Sequence, residues 1–212
     1  MKKILILQGG YNEEHKVSLN TSKEVSKSLK KQKIHFKILN VNPFTFSKDI
    51  NKFTNDYICF NALHGPFGED GKIQKILKIK KFKVTHSNHI TSLNCFDKVK
   101  SKKIINKFKI LTPKYEVIKN KNFNENFLKK MIKNYKKFIV KPVSSGSSYG
   151  LVIIKSKRDL IFFCKKLNKF KSKFNYNSRF LIEEYISGKE LTVSVLGNKL
   201  LATPLEVTEI VS

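Results

Sequence analysis

Arginine is nearly missing from a chain that is otherwise crowded with positive charge. Lys plus Arg number 43 against 16 Asp plus Glu, a formal net charge of +27, yet the only arginines are Arg158 and Arg179. A surplus of this size suggests nucleic-acid binding, because cations displace counterions from phosphate backbones. The shortage of arginine, whose planar fork reads bases and phosphates, argues against it. The lysines are also spread along the whole chain among abundant Asn, Ile and Phe, the joint bias of an AT-rich coding sequence rather than a patch. Cysteine is scarce too. Cys59, Cys95 and Cys164 are odd in number and far apart, which excludes a disulfide framework or a paired-cysteine metal site and fits buried thiols in a reducing compartment. No apolar run approaches the ~18 residues that a membrane span needs. The N-terminal MKKILILQGG has two lysines and a short apolar run, but no small-residue cleavage site follows. It reads as a first β-strand, and the expected location is cytoplasmic. Internal repeats, low-complexity linkers, a Walker loop and a GxGxxG motif are all lacking.

What is present is an ordinary globular composition, 40% hydrophobic over 212 residues, enough for one large domain or two small ones. Residues 3–7 (KILIL) form a continuous apolar run ending at Gly9-Gly10, as a buried parallel strand does. A helix is predicted over 18–30, with Val25 and Leu29 inward. Ile34, Phe36 and Ile38 alternate with polar residues like a half-buried strand. Residues 57–63 (YICFNAL) make another strand, and Ile73, Ile76 and Leu77 have helical spacing. Strand–loop–helix repetition predicts a doubly wound parallel sheet, with ligands at the strand C-terminal ends.

Beyond residues 84–86 the texture becomes α+β. Val99, Ile104, Ile105 and Phe108 predict a helix, broken at Thr112-Pro113 before a strand over 114–117. Phe127, Leu128, Met131 and Ile132 share a helical face. Residues 138–140 and 151–154 read as strands around a Ser/Gly loop. Strands are predicted again over 180–183, 191–196 and 200–202, with turns at Gly188 and Gly197-Asn198.

Four segments carry polar groups suited to chemistry. In FIVKPVSSGSSYG, Lys141 ends a strand, and Gly146 and Gly150 bracket small hydroxyl residues. Such a loop lets backbone amides approach an anion, although a plain hairpin fits as well. In ALHGPFGEDG, His64 follows a strand and would face the crevice, while Glu69-Asp70 suits a helix cap. A zinc site from His64, His86 and His89 lacks a convincing ligand set. In GGYNEEHKVS, Glu13 and Glu14 follow the diglycine, where a carboxylate can meet an ammonium or simply favour a helix N-terminus. In LIEEYISGKELTV, Glu183, Glu184 and Glu190 flank strand ends, placed either to accept from a nucleotide or to sit in solvent.

Taken in order, QGGYNEEHKVS, NALHGPFGEDGKIQ, FDKVKSK, FIVKPVSSGSSYG and LIEEYISGKELTVSVLGN closely resemble the D-alanine–D-alanine ligases, ATP-grasp enzymes of peptidoglycan precursor synthesis. The resemblance covers essentially the whole chain. It implies an α/β fold: an N-terminal Rossmann-like (pre-ATP-grasp) parallel-sheet domain over 1–86, a central α+β ATP-grasp lid over 87–180, and the start of a C-terminal ATP-grasp domain over 181–212. It further implies that one D-alanine carboxylate attacks the γ-phosphate of ATP, and that the amine of a second D-alanine displaces phosphate from the acylphosphate. By the same resemblance Glu14 would hold the first D-alanine's ammonium and His64 would line that pocket. Lys98 and Lys141 would neutralise phosphates. The loop with Ser144, Ser145, Gly146, Ser147 and Ser148 would close over them, Ser147 lying at the transferring group. Glu183 and the backbone of Ile186 would read adenine, Glu184 would lie beside them, and Glu190 would hold the ribose. A homodimer is also implied.

Two departures qualify the match. Family members often carry Lys where Glu184 stands. The family's remaining catalytic tyrosine and arginine, and the acidic and Asn ligands of its Mg2+ or Mn2+, are expected beyond Ser212, with no metal ligands within the chain. The 212 residues are therefore expected to be an N-terminal portion that does not turn over ATP alone. Rival readings are a D-alanine–D-lactate or D-alanine–D-serine ligase, and a non-catalytic protein that binds nucleotide or D-alanine.

Overall fold

A computed structural model of the chain describes residues 3–197 and 201–211. The first body is built on a four-stranded parallel sheet in the order β2-β1-β3-β4, made of β1 (Lys3–Gly9), β2 (Phe36–Val41), β3 (Tyr57–Asn61) and β4 (Lys83–Val84). The helices α1 (His15–Lys31), the short α2 (Phe46–Asp49) and α3 (Lys72–Ile79) connect its strands. β1 lies between β2 and β3, which is why KILIL is apolar without alternation: Leu5, Ile6 and Leu7 are all fully buried. Each such side chain contributes roughly 1.5–3 kcal/mol. Leu5, Leu7, Phe46, Ile50, Cys59, Ile73 and Leu77 form one core. The parallel sheet is as expected.

Two details differ from the sequence reading. The buried positions of α1 are Ser18 and Ser22, not Val25 and Leu29, which are only half-buried. Small hydroxyl residues let the helix approach the sheet closely, and the Ser18 hydroxyl accepts a hydrogen bond from the Gly9 amide at 2.9 Å. This bond fixes the start of α1 against the end of β1. In β2, Ile38 is 44% exposed, because β2 is an edge strand.

The second body is an antiparallel sheet in the order β5-β8-β6-β7, formed by β5 (Tyr115–Lys119), β6 (Phe138–Pro142), β7 (Val152–Ile154) and β8 (Arg179–Glu184). Before it come α4 (His89–Phe96) and α5 (Lys98–Lys107); within it come α6 (Glu125–Tyr135) and α7 (Lys157–Lys171). Both α4 and α7 were missed in the sequence. The helices α6 and α7 cover one face, where Phe123, Phe138, Phe163, Phe170 and Phe180 pack with Leu128 and Met131. Strand periodicity sends alternate residues to the other face. There Leu181 and Val143 meet Val99 of α5, beside the buried Glu183 and Lys102. β8, which spans the 180/181 division, lies between β5 and β6.

The third part is an antiparallel ribbon of β9 (Glu190–Gly197) and β10 (Ala202–Ile210), longer than the strand read over 200–202. Every described residue of both strands is exposed. Asn198 of the predicted turn and Leu200 of the predicted strand lie outside the described residues.

Candidate active site

The Ser/Gly loop joining β6 to β7 lies between two sets of side chains. On one flank, the Lys98 ammonium at the start of α5 donates to the Ser145 carbonyl at 2.7 Å. The α5 terminus is fixed by Asp97, whose carboxylate accepts from the Val99 and Lys100 amides at 3.0 Å each, an N-cap. The same carboxylate pairs with Arg179 of β8 at 2.6 Å. Burial holds the Lys98 ammonium below its usual range; the charge of Lys141 adds to this, while Glu183 and Asp97 oppose it. Lys141 extends from β6 on the face shared with Glu183, and the two are ion-paired. Glu183 also binds Lys102 at 3.0 Å.

On the other flank, the Ser147 hydroxyl donates to Glu14. Glu14 sits at the N-terminus of α1, where its carboxylate leaves the helix uncapped and faces the loop instead. The crossing is tight, since a Cβ on Gly146 would lie 3.2 Å from Glu14 Oε2 and 3.4 Å from Glu69 Oε2. Ser147 and Ser148 both hold positive φ, +41° and +57°, a conformation that costs non-glycine residues roughly 1–3 kcal/mol and clusters at functional sites.

Asn12 organises this flank. Its Nδ2 donates to the His64 carbonyl at 2.8 Å and its Oδ1 accepts from the Glu14 amide at 2.9 Å. His64 Nε2 pairs with Thr21 at 2.9 Å, and its Nδ1 lies 3.8 Å from Glu69. Glu69 faces the site rather than capping α3; Asp70 accepts from the Lys72 amide at 3.1 Å. Burial pushes the Glu69 carboxyl above its ordinary range, and the neighbouring Glu14 charge adds to the rise. The Gly65 amide and His64 pull the other way.

Two cavities open here. One of about 550 Å³ is lined by His64, Glu69, His86, Lys98 and Ser145. The other, about 760 Å³, is lined by Glu14, Ser144, Gly146, Ser147 and Arg179. The structure thus brings Glu14, His64, Lys98, Lys141, the loop and Glu183 to one region. Glu184 ends β8 half-buried, and Ile186 and Glu190 are exposed beyond it. Asn12, Glu69 and Lys102 were missed from the sequence. Lys102 was findable, since it stands one helical turn after Lys98 and shares its face. Among the described residues no group of three His, Cys, Asp or Glu side chains converges as a metal site would require. No helix among them is long and apolar enough to cross a membrane.

A Rossmann-like parallel sheet joined to an antiparallel sheet that carries Lys141 and a Ser/Gly loop has the fold of part of an ATP-grasp protein. The model for the D-ala D-ala ligase C-terminus matches residues 104–212. The chain belongs to the D-alanine–D-alanine ligase family. It is 46% identical over 200 residues to a D-alanine–D-alanine ligase of Pelagibacter ubique, covering 93% of this chain and 62% of that protein. It is 37% identical to one from Wolbachia pipientis, covering 94% of this chain and 59% of the relative. Among solved structures, a Bacillus anthracis D-alanine–D-alanine ligase complexed with ATP aligns with TM-score 0.77 and 28% identity. That alignment covers 99% of this chain and 67% of the other. A Vibrio cholerae D-alanyl-alanine synthetase A shares the fold at TM-score 0.80 and 19% identity, over 100% of this chain and 69% of that one. The chain spans about three-fifths of the length of the curated relatives it matches.

Proposed function

We propose that the chain serves the ATP-dependent joining of two D-alanines to D-alanyl-D-alanine through an acylphosphate, for peptidoglycan precursors. One observation carries this reading: a single loop is bound by Lys98 at Ser145 and by Glu14 at Ser147. A phosphate-neutralising group and an ammonium-accepting carboxylate thus meet where a γ-phosphate would meet a substrate carboxylate. Phosphoryl transfer needs positioning and charge neutralisation more than covalent help.

In this reading Glu14 accepts from the first D-alanine's ammonium, with His64 beside it, and Ser147 donates at the carboxylate that attacks. Lys98 and Lys141 neutralise phosphate oxygens, and Ser144, Ser145, Gly146 and Ser148 close over them. Glu183 and the Ile186 backbone meet adenine next to Glu184, and Glu190 meets the ribose. The division into 1–86, 87–180 and 181–212 belongs to the same proposal, with β8 serving both later parts. So do a homodimer and a cytoplasmic location. Chemistry in this family also uses a divalent metal; the described side chains offer no ligand cluster for one.

The native gene product, isolated from its own cells and given ATP and D-alanine, is expected to release ADP and form D-alanyl-D-alanine. Lys141→Ala is expected to lower that rate by ~10²-fold or more, as loss of a preorganised charge-stabilising group does. Mixed acceptors, with the products identified, decide between D-alanine, D-lactate and D-serine. ATP binding without D-alanine-dependent ADP would favour a non-catalytic binder. No binding of either substrate would overturn the proposal.

A further inference from the structure

Glu183 holds two ammonium groups at once. Its Oε1 pairs with Lys141 and its Oε2 with Lys102. The two lysines differ in everything but charge. Lys102 is 7% exposed. Its ammonium also donates to the Pro113 carbonyl at 3.1 Å and lies 5.0 Å from the centre of the Tyr115 ring. These contacts hold it within the wall formed by α5 and β5. The Lys141 side chain is 22% exposed, at the strand end that opens into the Ser/Gly loop.

On the reading above, Lys141 must turn toward phosphate to work, which means leaving Glu183. A carboxylate only 5% exposed does not tolerate losing its sole counter-ion, because an unpaired buried charge is strongly unfavourable. Two cations on one carboxylate remove this difficulty. We infer that Lys102 is the standing counter-ion of Glu183 and Lys141 the exchangeable one. Lys141 departs to the phosphates, Oε1 becomes free to accept the adenine amine, and Lys102 keeps the carboxylate neutralised throughout. Lys102 touches no nucleotide; it is a positioning residue acting through Glu183. The surroundings agree, since Lys98 is a third ammonium close enough to sense both Lys141 and Glu183. Cations outnumber carboxylates at this point, and an incoming polyanion corrects the imbalance.

The test reads acylation of the Lys141 amine in the nucleotide-free chain, quantified by peptide mass spectrometry. Lys102→Met leaves Lys141 as the only cation on Glu183, so its acylation is expected to slow several-fold. Lys102→Arg, which keeps the charge, is expected to restore the wild-type rate. A lysine that only supports the fold predicts the reverse, because loosening the structure speeds acylation. Should Lys102→Met fail to fold, Glu183→Gln decides: Lys141 is expected to react several-fold faster while Lys102 stays protected. An unchanged or faster Lys141 in folded Lys102→Met, or an unchanged Lys141 in Glu183→Gln, overturns the inference. Added ATP is expected to protect Lys141 further and leave Lys102 unaltered. Variant rates that move as expected without ATP protection would uphold the ion-pair assignment and count against the nucleotide reading instead.

Discussion

A glycine decides where the Glu14 carboxylate can stand. A Cβ on Gly65 would collide with Glu14 Oε2, and Gly65 holds φ +70°. Gly65→Ala is therefore expected to cost about 1–3 kcal/mol in urea unfolding and to weaken D-alanine binding in parallel. Glu69, close by, supplies a pH signature. Its folded carboxyl titrates above its ordinary value because burial, reinforced by Glu14, disfavours the charged form. Its contribution to stability is thus fully present below the unfolded value of roughly 4.3 and is lost as pH rises through the higher folded value. Glu69→Gln removes that loss. The urea midpoint of the variant is expected to gain on wild type as pH climbs from 4 toward 7; a constant difference would contradict the assignment. These residues also mark how far the sequence could be read. Glu14, His64, Lys98 and Lys141 were singled out by motif, and the structure brings them to one region. Glu69 was taken for a helix cap, because spacing alone does not reveal that Gly146 brings a distant loop against it.

At the scale of elements, β1, β3 and β6 were legible because continuous apolar runs bounded by Gly or Pro leave few alternatives. The inner face of α1 was not, since its buried residues are serines, chosen for close approach rather than for apolar surface. Nor was α7, although Leu160, Phe163, Leu167 and Phe170 follow helical spacing on its buried face; dense lysines and the exposed Ile161 and Phe162 obscure the stripe. The element with the most consequence for the site is α5. Asp97 caps it and anchors it to Arg179, setting the height at which Lys98 and Lys102 meet the sheet. Asp97→Ala is expected to cost about 1–2 kcal/mol from the lost cap, read by thermal or urea unfolding. A loss of ATP affinity should accompany it, because Lys98 shifts. Asp97→Asn, which can still cap, should recover most of the stability.

For the molecule as a whole, two cores and a ribbon imply uneven stability. The strands β6 and β8 lie inside a sheet with buried faces, whereas β9 and β10 expose every described residue. Amide hydrogen exchange is expected to be fastest in the ribbon and slowest in β1, β6 and β8; equal protection would contradict this arrangement. The sequence pointed to strands on either side of Gly197-Asn198, and so to a last sheet. It could not show how much of β10 would pair, because the register depends on β9 across an irregularity between Pro204 and Val207.

The bare ribbon bears on how the chain behaves at high concentration. Among the described residues each of its strands keeps one unpaired backbone edge, flanked by exposed Leu191, Val193, Val195 and Val207, and such edges are templates for strand addition between molecules. A net charge of +27 keeps neighbouring copies apart, but only over a Debye length of about 10 Å at 0.1 M salt and ~3 Å at 1 M. Light scattering should accordingly rise with added salt, and a lysine substituted at Val193 or Val195 should suppress the rise. Colloidal stability here rests on charge repulsion rather than on a closed sheet.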